Sequence, residues 1–106
     1  MKINIKTKNL ELTPAMRDFI NTKIGALERQ LIRFEKEGAL MVEVEIARPS
    51  HHHHKGKVYY AEANLRIGKN MLRAESDDYN IRVAVNKVRQ ILDREIRKYK
   101  TEIGAR

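Results

Sequence analysis

Between residues 40 and 67 the side chains alternate in a way that leaves few folds open. Leu40, Val42, Val44 and Ile46 take turns with Met41, Glu43, Glu45 and Ala47. Tyr59, Ala61, Ala63, Leu65 and Ile67 do the same with Val58, Tyr60, Glu62, Asn64 and Arg66. A period of two puts each set on its own side of a strand, so both runs predict strands that are dry on one face and wet on the other. A sheet of such strands needs a cover that carries its own apolar stripe.

Two helical patterns supply that cover. Thr13-Pro14 is a helix start, with Thr as N-cap and Pro where its missing N–H costs nothing. Phe19, Ile20, Ile24, Leu27 and Leu31 then define one buried face, and Glu35-Lys36-Glu37-Gly38 ends the helix. Ser76-Asp77-Asp78 reads as the cap of a long last helix with inward positions Ile81, Ala84, Val85, Val88, Leu92, Ile96 and Tyr99. A first strand is predicted where Ile3 and Ile5 oppose Asn4 and Lys6. Pro49 to Gly56 reads as a loop, Gly68-Lys69-Asn70 as a turn, and Leu72 and Ala74 as a short fourth strand in hairpin relation to the third. The order is β-α-β-β-β-α. Its first β-α-β step predicts a right-handed crossover between parallel strands, and the later links are short enough for antiparallel hairpins. The expected fold is an α/β two-layer sandwich, a four-stranded mixed sheet with both helices on one face. With no repeat and no linker, residues 1–106 are expected to form a single domain.

Composition narrows the function classes. At 42% hydrophobic and 34% charged the chain can build a core, yet no run approaches the ~18 apolar residues of a membrane span. The alternating start, Met1 to Lys6, is unlike a signal peptide. The absence of cysteine excludes disulfides, a thiol nucleophile and any Cys-ligated metal, and fits a reducing cytoplasm. Gly25, Gly38, Gly56, Gly68 and Gly104 are too far apart to cradle a phosphate. Glu43 and Glu45 share a strand face, but a pair of solvated glutamates is commoner than an acid–base pair. The only histidines, His51, His52, His53 and His54, are consecutive in the loop and lack the fixed spacing of a metal site. No enzyme, cofactor, metal or small-molecule substrate is therefore expected.

Charge points elsewhere. Lys and Arg number 22 against 14 Asp and Glu, a net of +8. Residues 82–106 hold eight basic groups against Asp93, Glu95 and Glu102, so most of the excess lies at the C-terminal end. On a helical projection Arg82, Arg89 and Lys100 fall on one flank of the apolar stripe, Lys87, Arg94 and Lys98 on the other, and Arg97 between them. This exceeds what a helix dipole requires and points to a polyanion. Arg17, Lys23, Arg29 and Arg33 add a weaker basic face on the first helix, diluted by Asp18 and Glu28.

From its first helix onward the element order matches a double-stranded RNA-binding domain with one strand added in front. Those domains open their last helix with lysines, whereas Asp77 and Asp78 stand at that point here. A closer resemblance covers almost the whole chain. Met1-Lys2-Ile3-Asn4-Ile5-Lys6, Glu11-Leu12-Thr13-Pro14-Ala15-Met16-Arg17 and Lys23-Ile24-Gly25-Ala26-Leu27-Glu28-Arg29 are similar, in order, to the start and first helix of a known group. Lys55 to Leu65 resembles its third strand, and Arg94-Glu95-Ile96-Arg97-Lys98-Tyr99-Lys100 its basic closing helix. That group is the ribosome hibernation-promoting factor and ribosome-associated inhibitor family, also called the sigma-54 modulation protein family. The lead-in to its last helix is matched by Asn80-Ile81-Arg82-Val83-Ala84-Val85-Asn86, with Arg82 at a tyrosine position. Ile91 and Ala26 stand where lysines are usual, so a phosphate contact at Ile91 is lost or moved to Lys87 or Arg89.

The resemblance implies a non-enzymatic factor for translation regulation in stationary phase and the stress response. It would bind the small ribosomal subunit and its rRNA between head and body, overlapping the mRNA and tRNA channel, and inhibit translation on idle ribosomes. The length resembles the short form, without the C-terminal dimerisation domain of the long form. A monomer when free is expected, because +8 self-repels, and no membrane partner is expected. Two other readings stay open: a free-standing structured-RNA-binding module, and a regulator that docks on an acidic protein.

Overall fold

The computed structural model describes residues 1–37, 40–48 and 59–104, the side chains of Lys36 and Glu37 excepted. The elements are β1 (Lys2–Lys8), α1 (Pro14–Gly25), a 3-10 helical segment (Ala26–Glu37), β2 (Met41–Ala47), β3 (Tyr59–Ile67), β4 (Asn70–Asp78) and α2 (Ile81–Gly104). The sheet order is β1-β2-β3-β4, with β1 parallel to β2 and the other pairs antiparallel. This is the mixed four-stranded sandwich that the alternation and the two stripes predict. The expected loop from Pro49 to Gly56, with His51–His54, lies outside the described residues.

One sheet face and the helices close a single core. Val42, Val44 and Ile46 of β2, with Ala61, Ala63, Leu65 and Ile67 of β3, meet Ile20 and Ile24 of α1 and Val85, Val88, Leu92 and Ile96 of α2. Among the described residues no polar or charged residue is buried, so every charge is left to the surface. The register decides what the opposite face shows. Five cations (Lys2, Lys6, Lys8, Arg66 and Arg73) share that open face with five anions (Glu43, Glu45, Glu62, Glu75 and Asp77), in rows such as Lys6–Glu45–Glu62–Glu75. Part of that face is cross-linked. Tyr60 donates its hydroxyl to Glu75 Oε2 at 2.8 Å, Arg73 pairs with Glu75 at 3.0 Å, and Asn64 donates to Glu62 at 2.9 Å.

Three sequence expectations need correction. The first helix is not uniform: beyond Gly25 it tightens into the 3-10 segment, which still buries Leu27, Leu31 and Phe34. β4 is not short but runs nine residues and pairs along all of β3, from Ile67↔Asn70 to Tyr59↔Asp78. Ser76, Asp77 and Asp78 therefore belong to a strand and do not cap α2. Their weak strand propensity suggested a cap, but cross-strand pairing outweighs it. Asn80 is the cap, its Oδ1 accepting from the backbone N–H of Arg82 at 2.8 Å.

Two expectations follow for stability. Gly68 opens the two-residue β3–β4 turn at φ +58°, and a Cβ there would meet no atom within 4 Å. Gly68→Ala should therefore cost about 1 kcal/mol from backbone strain alone, read by chemical denaturation. An unchanged midpoint would contradict this. The hydrogen bond from Tyr60 and the neighbouring Arg73 hold the Glu75 carboxyl below its ordinary pKa. A lowered carboxyl pKa stabilises the fold above the unfolded value, and that gain is lost as pH falls through the folded value. Wild type should thus melt above Glu75→Gln at neutral pH, and the gap should close on acidification. A gap that stays constant down to pH ~3 would show that Glu75 carries no such linkage.

Candidate nucleic-acid interface

The cations concentrate on the helix layer. α2 lies over β3 and β4, and α1 lies beside it. α2 bears Arg82, Lys87, Arg89, Arg94, Arg97, Lys98 and Lys100 against Asp93, Glu95 and Glu102. Its burial stripe forces these groups to the flanks and outer face, because Ala84, Val85, Val88, Leu92 and Ile96 take the inner one.

Two of the seven are engaged by carboxylates. Lys87 Nζ pairs with Asp78 Oδ2 at 2.9 Å, which ties the start of α2 to the end of β4. Arg97 pairs with Asp93 at 3.2 Å one helical turn away, yet stays 72% exposed. Such exposed pairs are worth at most ~1 kcal/mol, so Arg97 is readily redirected to another anion. Arg82, Arg89, Arg94, Lys98 and Lys100 form no ion pair among the described residues. Arg94 and Lys98 are exposed and lie four residues apart on one stripe.

The first helical layer contributes differently. Arg17 and Arg29 are exposed without an ion pair among the described residues, while Arg33 sits 4.8 Å from the Phe34 ring centroid. Lys23 lies 5.7 Å from the Phe19 ring, and Arg82 of α2 lies 4.8 Å from the same ring. The fold thus joins Lys23 and Arg82, which sequence spacing leaves unconnected. The mediator is Phe19, which the stripe assigns to the core but which is only half-buried at the α1–α2 seam. The 4-3-4 spacing of Ile20, Ile24, Leu27 and Leu31 excludes it, and that is the signal that marks it as a flank residue.

Further along the seam Gln30 donates to Asp93, and Phe34 meets Tyr99 edge-on at 5.5 Å. The two helices therefore present their cations from one braced surface. Such a surface suits phosphates held at fixed spacing. Among the described residues no group of His, Asp or Glu is placed to hold a metal ion.

Comparison with known proteins agrees with this architecture. The chain is 29% identical over 104 residues to the ribosome hibernation promotion factor of Bacillus subtilis, covering 98% of this chain and 51% of that protein, so it spans about half the relative's length. It is 25% identical over 103 residues to the ribosome hibernation promoting factor of Klebsiella oxytoca, with 97% of each chain covered. The crystal structure of the Thermus thermophilus Protein Y N-terminal domain shares the fold with a TM-score of 0.74 at 24% identity, over 93% of this chain and 99% of that one. The model of the family described as sigma 54 modulation protein / S30EA ribosomal protein matches residues 3–103, and the chain belongs to that family.

Proposed function

We propose that this protein is a ribosome hibernation factor. It acts as a single non-enzymatic domain, in the cytoplasm and as a monomer when free. It docks its helix layer on the rRNA of the small subunit at the mRNA and tRNA channel and inhibits translation on idle ribosomes. The observation that carries this reading is the asymmetry of charge across the sandwich. The open sheet face balances five cations with five anions, while α2 alone sets seven cations against three anions. Family membership and relatives that carry the hibernation-factor name support the ribosome as the partner.

The physics suits a reader of shape. A-form RNA hides base edges in its deep groove, so proteins grip it mainly through phosphates and 2′-hydroxyls. Exposed cations on a rigid surface supply that grip without sequence discrimination.

Reversing Arg94 and Lys98 to Glu tests the assignment. The change takes the net charge from +8 to +4 on an exposed stripe, so stability should move by no more than about 0.5 kcal/mol per site. Co-sedimentation with small subunits on sucrose gradients should be lost, and the salt dependence should fall by ~0.7–0.9 per missing phosphate contact. Reversing the exposed β1 residues Lys2 and Lys8 makes the same change in net charge on the other face and should leave binding nearly intact. Equal losses would mean that overall charge alone matters. Binding that persists after nuclease digestion of the RNA would favour an acidic protein partner.

A further inference from the structure

We propose that Phe19 is a positioning residue for Arg82: its ring holds the guanidinium flat at the α1–α2 seam so that the N–H edge meets an RNA phosphate. The proposal rests on the RNA-binding reading above and deepens it. It assigns the contact to planar guanidinium geometry and not to charge alone.

Arg82 is fixed from both ends. Its backbone N–H donates to the Asn80 cap at 2.8 Å, and its guanidinium carbon lies 4.8 Å from the Phe19 centroid. Phe19 packs against the core, so the ring itself has a set position. Among the described residues no carboxylate pairs with Arg82, and a guanidinium seated over a ring face keeps N–H donors for an outside acceptor. Two turns along the same flank, Arg89 has its Nε buried without a hydrogen-bond partner. A buried donor is normally satisfied, and this Nε is a side-chain donor on the same flank left without an acceptor among the described residues. Lys23, on the same ring, adds positive potential at the seam. Lysine at position 82 would keep the charge but lose both the stack and the forked donors.

The experiment measures affinity for purified small subunits and melting temperature for Arg82→Lys, Phe19→Leu, Phe19→Tyr and the double variant Phe19→Leu/Arg82→Lys. Arg82→Lys should weaken binding about tenfold at unchanged net charge and unchanged melting temperature. Phe19→Leu should weaken it similarly, and the double variant should be no weaker than Arg82→Lys alone, since both remove one contact. Phe19→Tyr, which keeps the ring, should bind within about twofold of wild type. Arg82→Lys binding as wild type, or losses that multiply in the double variant, would overturn the proposal. A Phe19→Leu loss that Phe19→Tyr shares would overturn it as well. If those variants are silent while reversal of Arg94 and Lys98 abolishes binding, the positioning role fails and the RNA-binding reading stands. If wild type ignores small subunits, both fall.

Discussion

Everything in this molecule depends on the dry seam between one sheet face and the helices. Val42, Val44, Ile46, Leu65 and Ile67 meet Ile20, Ile24, Leu92 and Ile96 there, and each is almost fully removed from water. Truncating one such side chain to Ala costs ~2–5 kcal/mol, whereas an exposed ion pair contributes at most ~1 kcal/mol. The core therefore sets the fold, and the ion pairs adjust its edges. Because the seam admits no charged residue, the charge is driven outward. The strand register mixes both signs on the open sheet face, and the burial stripe of α2 leaves its excess of cations on the helix side.

That division decides which features leave a trace in the sequence. The strands and the α2 stripe were legible because burial on one face imposes a period that survives in the sequence, as in Val42, Val44 and Ile46 or Val88, Leu92 and Ile96. The end of β4 was not. Ser76, Asp77 and Asp78 carry cap chemistry, and only their pairing with Ala61, Tyr60 and Tyr59 makes them a strand. The tightening beyond Gly25 was equally hidden, since the buried spacing continues through Leu27 and Leu31. At the candidate interface, the basic flanks of α2 were visible as a pattern. The joining of Phe19, Lys23 and Arg82 was not, because it depends on how two helices distant in sequence lie side by side.

The two faces suit different roles. On the open side, Tyr60, Glu62, Asn64, Arg73 and Glu75 satisfy one another, and the cations outside that network, Lys2, Lys6, Lys8 and Arg66, share the face with Glu43, Glu45 and Asp77. On the helix side, Arg94, Lys98 and Lys100 have no ion partner among the described residues, and Arg97 is held only by an exposed pair. A phosphate backbone meeting the helix side gains attraction without first breaking a network. Meeting the sheet side, it would find its attraction to the five cations there offset by an equal number of carboxylates, Glu43, Glu45, Glu62, Glu75 and Asp77.

In the proposed function the helix layer, not the sheet, faces small-subunit rRNA. Photo-crosslinking tests it most directly, with a photoreactive residue placed either at Arg97 on the outer face of α2 or at Glu43 on the open sheet face. On idle ribosomes, position 97 should crosslink to rRNA of the small subunit and position 43 should not. RNA crosslinks from position 43 that match or exceed those from position 97 would contradict the account.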